Sequence, residues 1–321
     1  LKLLSAAEPA GLREQASKKR LHPVLVSIMT DKYLYLMLAP FLVYYLIFYY
    51  KPFGGLAMAF QDYKPFLGIS GSRWVGLDNF MTFFNGPYFV RVVRNTVLIN
   101  LFNLIFAFPV PIILAVLFNE VRSKLFRTTV QTISYMPHFI STVVIAGLVV
   151  NFLSPSSGIV NIFLGMLGHD PVYFLTKPEY FRAIYVIQGI WAGAGFGSII
   201  YYSALCSIDS ELYEAATIDG AGRWKQTLHI TLPGLLPTIG IMLILQIGNL
   251  MNLGYEMIIL LYLPVTYETG DVISTFVYRA GIESANYSMS TAVGLFNGVI
   301  SLVLVLTANQ ISKRISNINI F

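Results

Sequence analysis

Few side chains in this sequence are spaced to do chemistry. The nearest approach to a phosphate-cradling loop is Gly220-Ala221-Gly222-Arg223-Trp224-Lys225. It lacks the Gly-Lys-Ser/Thr ending that sets a lysine and a hydroxyl against phosphate and magnesium. The four histidines, His22, His138, His169 and His229, stand at no metal-ligand spacing; interfacial or hydrogen-bonded imidazoles account for them. Cys206 is the single cysteine, which excludes an internal disulfide and a cysteine-based metal cluster. Gly193-x-Gly195-x-Gly197 imitates part of a dinucleotide loop but lies in an apolar stretch. Small residues there let helices approach closely, as Gly294-x-x-x-Gly298 can. No catalytic residue, metal site or cofactor is expected in this chain.

The elements around these residues are apolar. Of the 321 residues 56% are hydrophobic and only 12% are charged, about half the charge of a soluble domain. That composition cannot be hidden in one water-soluble core and indicates an all-α, polytopic membrane protein. Six stretches approach the roughly 20 residues a bilayer core requires: Tyr33–Tyr50, Thr96–Phe118, Phe139–Leu153, Ala183–Ser207, Gly234–Leu253 and Met289–Ile311. The third is long enough only if it starts near Ile133, with Pro137 and His138 at the interface. The first is longer and richer in tyrosine than a cleaved signal core, so a retained anchor is expected. Tyr33, Tyr35, Tyr49 and Tyr50 suit an interfacial belt.

The net charge of +5 would suggest nucleic acid in a soluble domain. Here its placement matters more. With both termini in the cytoplasm, 13 of the 21 basic residues fall on inner segments, which are also the shorter ones in total. The chain then divides into a basic segment 1–32, a first span 33–50, an outer loop 51–94, a five-helix core 95–311 with an inner loop at 208–233, and a tail 312–321. No Asp, Glu, Lys or Arg stands in the middle of any span. Proton relays and gating charges need such residues, so an ion-coupled carrier is disfavoured, as is a membrane enzyme. Energy for uphill transport would come from another subunit.

The inner loop runs from Asp209 to Pro233. Asp209 or Ser210 can cap a short helix with Glu211 in its first turn. Gly220 can supply the positive φ that ends it. A second helix from about Arg223 returns the chain to the membrane at Leu232-Pro233.

Glu214-Ala215-Ala216, Gly220, Ile230, Leu232 and Pro233 resemble the signature of permease subunits of binding-protein-dependent ABC importers, with no departure in spacing. Trp74-Val75-Gly76-Leu77-Asp78-Asn79-Phe80 and Arg94-Asn95-Thr96 look like marks of carbohydrate-importer permeases. Phe60–Ile69, Gly248-Asn249 and Tyr267–Thr275 are similar to the group handling oligosaccharides cut from polysaccharides, which includes importers of alginate oligomers. The similarity runs from about residue 30 to the C-terminus.

The resemblance implies a type I importer permease fold in a bacterial inner membrane. It also implies a second related permease, two ATP-binding subunits that hold ATP and magnesium, an external solute-binding protein and an oligosaccharide substrate. Glu214 would be a charged contact to an ATPase subunit, Ala215 and Ala216 a close-packing surface, and Gly220 the turn. For a sugar path, Gln246, Asn249 and Asn252 fall within an arc of about 120° at helical spacing, with Glu256 beyond them. Gln188, Trp191, Gly195, Ser198 and Tyr202 share a second face; Asn297 and Ser301 share a third. Such stripes face either a cavity or another helix.

Overall fold

The computed structural model describes residues 30–316. Two compact units divide the chain, residues 1–55 and 56–321. The basic N-terminal segment lies outside the described residues, except for its last three. In the first unit, helix α1 (Lys32–Tyr45) passes into a π turn at Leu46–Tyr50. The helical run continues to Phe60 instead of stopping at Tyr50, so ten residues read as loop are helical.

In the second unit a two-residue antiparallel pair, β1 (Gln61–Asp62) and β2 (Arg73–Trp74), precedes α2 (Asp78–Phe84). Then come α3 (Phe89–Phe102), α4 (Pro109–Glu120), α5 (Lys124–Tyr135), α6 (Thr142–Phe152) and α7 (Ile159–Met166). After them, four-residue helices aside, come α8 (Pro178–Leu205), α9 (Ser210–Ile218), α10 (Leu232–Gly248), α11 (Tyr255–Leu261), α12 (Ile273–Tyr278) and α13 (Tyr287–Ser316).

Among the described residues, five helical runs are long and apolar enough to cross a membrane: 32–60, 89–120, 178–205, 223–248 and 287–310. Prolines shape them. Proline lacks an N–H, and its ring crowds the carbonyl four residues back. A π turn, one residue wider, relieves that conflict. Of the four π turns among the described residues, Leu46–Tyr50, Asn103–Ala107 and Thr227–Thr231 end two residues before Pro52, Pro109 and Pro233. Runs 89–120 and 223–248 thereby continue through their prolines.

The third apolar stretch differs from the sequence expectation. It is not one straight helix but the pair Lys124–Phe139 and Thr142–Phe152, bent by 101°, which together are long and apolar enough to cross a membrane. Pro137 tightens the chain into a 3-10 turn at Met136–Phe139, and Ile140 and Ser141 are extended. Ser141 then caps α6 by accepting from Val144 N at 3.4 Å. The fifth stretch also stops early, at Gly248, so Asn249 and Asn252 lie in the turn beyond the helix.

Three apolar clusters hold the second unit. One joins Ile99, Ala146, Phe181, Ile258 and Val272; another Phe83, Val92, Ile273 and Val293; the third Ala115, Tyr201, Leu205 and Leu235. α8 is the central strut. At Gly195 a Cβ would run into the Ser134 carbonyl of α5, and at Gly197 it would lie 3.4 Å from Pro111. Close approach is therefore achieved at both glycines, as their sequence context suggested. At Gly193, Gly294 and Gly298 no such neighbour lies within 4 Å in this chain.

Candidate functional site

Two polar constructions occupy opposite ends of α8, about 42 Å apart by helical rise. The first follows its C-terminal end. Asp209 caps α9 by accepting from Glu211 N at 3.0 Å. Gly220 adopts φ +75°. Its N–H donates to Thr217 O at 3.1 Å, and Ala221 N donates to Ala216 O at 2.8 Å, which satisfies the last carbonyls as a Schellman turn. Both expectations from local sequence hold here. Gln226 braces the turn from the returning helix, donating to Thr217 Oγ1 and Ala221 O, each at 3.0 Å. Tyr213 and Thr231 hydroxyls meet at 3.0 Å. The return is one continuous helical run from Arg223 to Gly248, with Leu232 and Pro233 inside it and Ile230 half-buried.

Little of α9 is covered. Glu214 and Ala215 are exposed and Ala216 is half-buried. Ile218 is 88% and Trp224 78% exposed, large apolar side chains flanking Gly220. The segment's charge contact to the helices is the exposed pair Arg223–Glu120 at 3.4 Å.

The other construction surrounds the start of α8, and no single motif announced it. Asp271, fully buried, receives Arg91 Nη2 and Arg279 Nη2, each at 2.7 Å, and Thr275 Oγ1 at 2.9 Å. Asn95 Nδ2 donates to Glu268 O and Asp271 O, both at 2.9 Å, while its Oδ1 accepts from Arg182 of α8. Thr96 Oγ1 accepts from Ile273 N at 3.0 Å. Arg279 donates to Tyr262 and lies over the Tyr267 ring, 4.8 Å from its centre. Burial acts against the Arg279 charge, but Tyr262 and Asp271 outweigh it and raise its pKa. Burial pushes the Tyr262 phenol up to about 12. Two sequence marks some 175 residues apart, Arg94-Asn95-Thr96 and Tyr267–Thr275, thus meet in one hub. Arg91, which neither motif contains, was missed.

The third mark has a local use. Asn79 Nδ2 donates to Ala59 O and Gln61 O at 2.9 and 3.0 Å, and Gly76 takes φ +62°. These contacts hold the loop of β1 and β2 closed.

The polar stripes divide. Gln188 and Trp191 line a cavity of about 560 Å³ between α6, α7 and α8, whose other walls are apolar, such as Val149, Phe152 and Ile184. Gln188 spends its amide on Tyr185 O. Gln246 is half-buried on α10. Asn249 is exposed and caps its own helix by donating to Leu245 O at 3.2 Å. Asn252 donates to Ser301 Oγ at 3.4 Å and accepts from Asn297 at 2.8 Å, tying the turn to α13. The expected arc of Gln246, Asn249 and Asn252 does not exist, because the helix that would generate it ends at Gly248.

Residues 107–317 match the family described as binding-protein-dependent transport system inner membrane component. Over its whole length the chain is 42% identical to the whole polygalacturonan/rhamnogalacturonan transport system permease protein YteP of Bacillus subtilis strain 168. Two solved structures cover 92% and 93% of the chain and all of their own chains, at 50% and 49% identity and a TM-score of 0.86 for each. One is a bacterial ABC transporter involved in import of the acidic polysaccharide alginate; the other is a bacterial alginate ABC transporter in complex with an alginate pentasaccharide-bound periplasmic protein. Together with the membrane-spanning helices, these matches place the chain in the binding-protein-dependent transport family, as a multi-pass permease subunit of a bacterial ABC importer.

Proposed function

We propose that this permease, paired with a second one, forms the path by which a uronate-containing oligosaccharide enters the cell. Two ATP-hydrolysing subunits would bind ATP and magnesium, and an external solute-binding protein would deliver the sugar. The chain itself performs no catalysis. Its termini and the α9 loop lie on the cytoplasmic side, with the Asp271 hub outside. The polymers named for similar proteins, polygalacturonan and alginate, are both polyuronates, which supports the substrate class.

The observation that carries the coupling assignment is the exposure of a well-capped α9. Its N-cap and Schellman turn fix the helix internally, leaving Glu214, Ala215, Ile218 and Trp224 free to meet another protein. Glu214 would make a charged contact, Ala215 and Ala216 the close approach, and Gly220 the turn. Ile230, Leu232 and Pro233 would complete the coupling segment on the returning helix, which Thr231 and Gln226 tie to α9. For sugar, Trp191 offers a ring face, Gln246 an amide, and Gln188 and Asn249 their amide oxygens. Asn252 and Asn297 serve that path indirectly, by bracing its wall.

Reconstitution of the complete assembly in liposomes tests this reading. Uptake of galacturonate oligomers should require ATP on the ATPase side and the binding protein, with neutral gluco-oligomers ineffective. Uptake by the lone chain under a proton or sodium gradient would defeat it. A cysteine at Trp74 in a Cys206→Ser background should label from outside intact cells, and one at Glu214 should not.

A further inference from the structure

The Asp271 carboxylate is satisfied within the chain, but the donors of Arg91 beside it are not spent. A guanidinium carries five N–H donors and stays charged at physiological pH. Arg91 donates one hydrogen bond, from Nη2 to Asp271, and its buried Nε meets no partner in the chain. Native proteins seldom leave a buried donor that way, so water or a ligand completes it. Two guanidiniums also share a single carboxylate, which leaves one positive charge in excess at the hub.

Arg91 and Arg279 line one cavity of about 620 Å³, walled by the α2–α3 junction, α12 and the start of α13. These walls all belong to this chain, so no neighbour is needed to form it. Its volume falls within the roughly 300–1,000 Å³ of small-molecule sites. Each charge is paired with a ring that also lines the cavity. Arg91 lies 5.2 Å from the Tyr88 ring centre, and Arg279 lies 4.8 Å from that of Tyr267. Phe276 adjoins Tyr88 with ring centres 5.9 Å apart. Glu283 also lines the cavity; it is exposed and in no ion pair among the described residues. Water screens that exposed charge more than it screens the half-buried arginines, so the interior stays positive.

A uronate residue has the matching chemistry. It brings a carboxylate for the guanidiniums, apolar C–H faces for the rings and hydroxyls for the remaining donors. An acidic side chain from a docking protein would fill only a fraction of this volume. Resting on the substrate class and topology proposed above, we infer that this outer cavity is a uronate-binding site. Arg91 and Arg279 receive the sugar carboxylate, and the site selects acidic oligosaccharides before they enter the membrane path. Glu283 opposes that selection and sets how tightly the site holds its ligand.

The test uses the importer assembled from both permeases and both ATPase subunits, with Ser284→Cys on the cavity wall in a Cys206→Ser background. Ser284 is exposed, so a membrane-impermeant maleimide should label this chain there. Trigalacturonate should slow labelling several-fold, while its methyl-esterified, uncharged form should not. Arg91→Gln should raise the trigalacturonate concentration needed at least tenfold. Glu283→Gln removes a repelling charge and should lower it several-fold. That second shift is opposite in sign to structural damage, so it decides the matter even where Arg91→Gln does not assemble. Equal slowing by both forms, or by neither, overturns the inference. So does a cysteine that never reacts in the complex, or one shielded by sugar-free binding protein and not by trigalacturonate. Uptake is read in parallel. A Cys206→Ser importer that takes up the oligomers without such protection keeps the function and loses this site. If it takes up none, the functional reading fails and the site falls with it.

Discussion

The two ends of α8 are built on opposite plans. Near Pro178, one fully buried carboxylate holds Arg91 of α3 and Arg279 at 2.7 Å each, and Asn95 of α3 links the same segment to Arg182 of α8 at 2.9 Å. Beyond Leu205, α9 satisfies its own termini, and the segment that follows it makes an exposed ion pair, Arg223–Glu120. The contrast teaches which end is finished within the chain. A buried carboxylate paired with two arginines resists rearrangement, since each partner removed leaves an uncompensated charge. A short helix with capped ends and a bare face is rigid in itself and incomplete at its surface.

The largest effect should come from emptying the hub. Asp271→Ala strands Arg91 and Arg279 and should cost about 3–5 kcal/mol, as breaking buried pairs does. A thermal melt in detergent that stays at the wild-type midpoint would erase the distinction between the two ends. At the bare end, Gly220→Val forces a β-branched residue to φ +75°. The local strain should be about 1–2 kcal/mol, a smaller loss of stability, yet uptake should disappear because α9 is misaimed. Co-purification of the ATPase subunits and oligomer-stimulated hydrolysis are the measurements; both remaining normal would remove α9 from the coupling role.

Glu214→Lys sharpens the same point. It should leave the melt unchanged and reduce ATPase co-purification or its stimulation, separating a surface role from a folding one. Asn249→Ala should weaken uptake only several-fold, because a hydrogen bond contributes about 0.5–1.5 kcal/mol. Failure of that variant to assemble would mean its bond to Leu245 O matters for packing alone. Arg223→Ala should be smallest on stability, under about 1 kcal/mol, because both members of the pair are partly exposed.

What was legible in advance had local causes. The apolar runs, the Asp209 cap and the Gly220 turn depend on residues within a few positions of one another, and the structure realises the cap, the turn and five of the six runs as single long helices. Pro137 was visible too, but its consequence was not. Pro109 and Pro233 are absorbed by π turns, whereas Pro137 leads to a 101° bend. Which outcome occurs depends on how the flanking segments are held, here by Ser134 and His138 against α8.

By itself, the sequence determined a chain that must span a membrane, a capped short helix with a left-handed glycine turn, and the motifs that mark its family. Hydropathy, capping and backbone sterics are short-range, so a linear reading reaches them. Only the tertiary structure decided that Asn95 and Thr96 close on the Asp271 segment, that Arg91 joins them, and that Asn249 lies past its helix's end. Those outcomes rest on partners about 180 residues apart or on where a helix stops under packing. Helical periodicity fixes angles only while the helix lasts, and a buried charge selects whichever counter-charge the fold delivers to it.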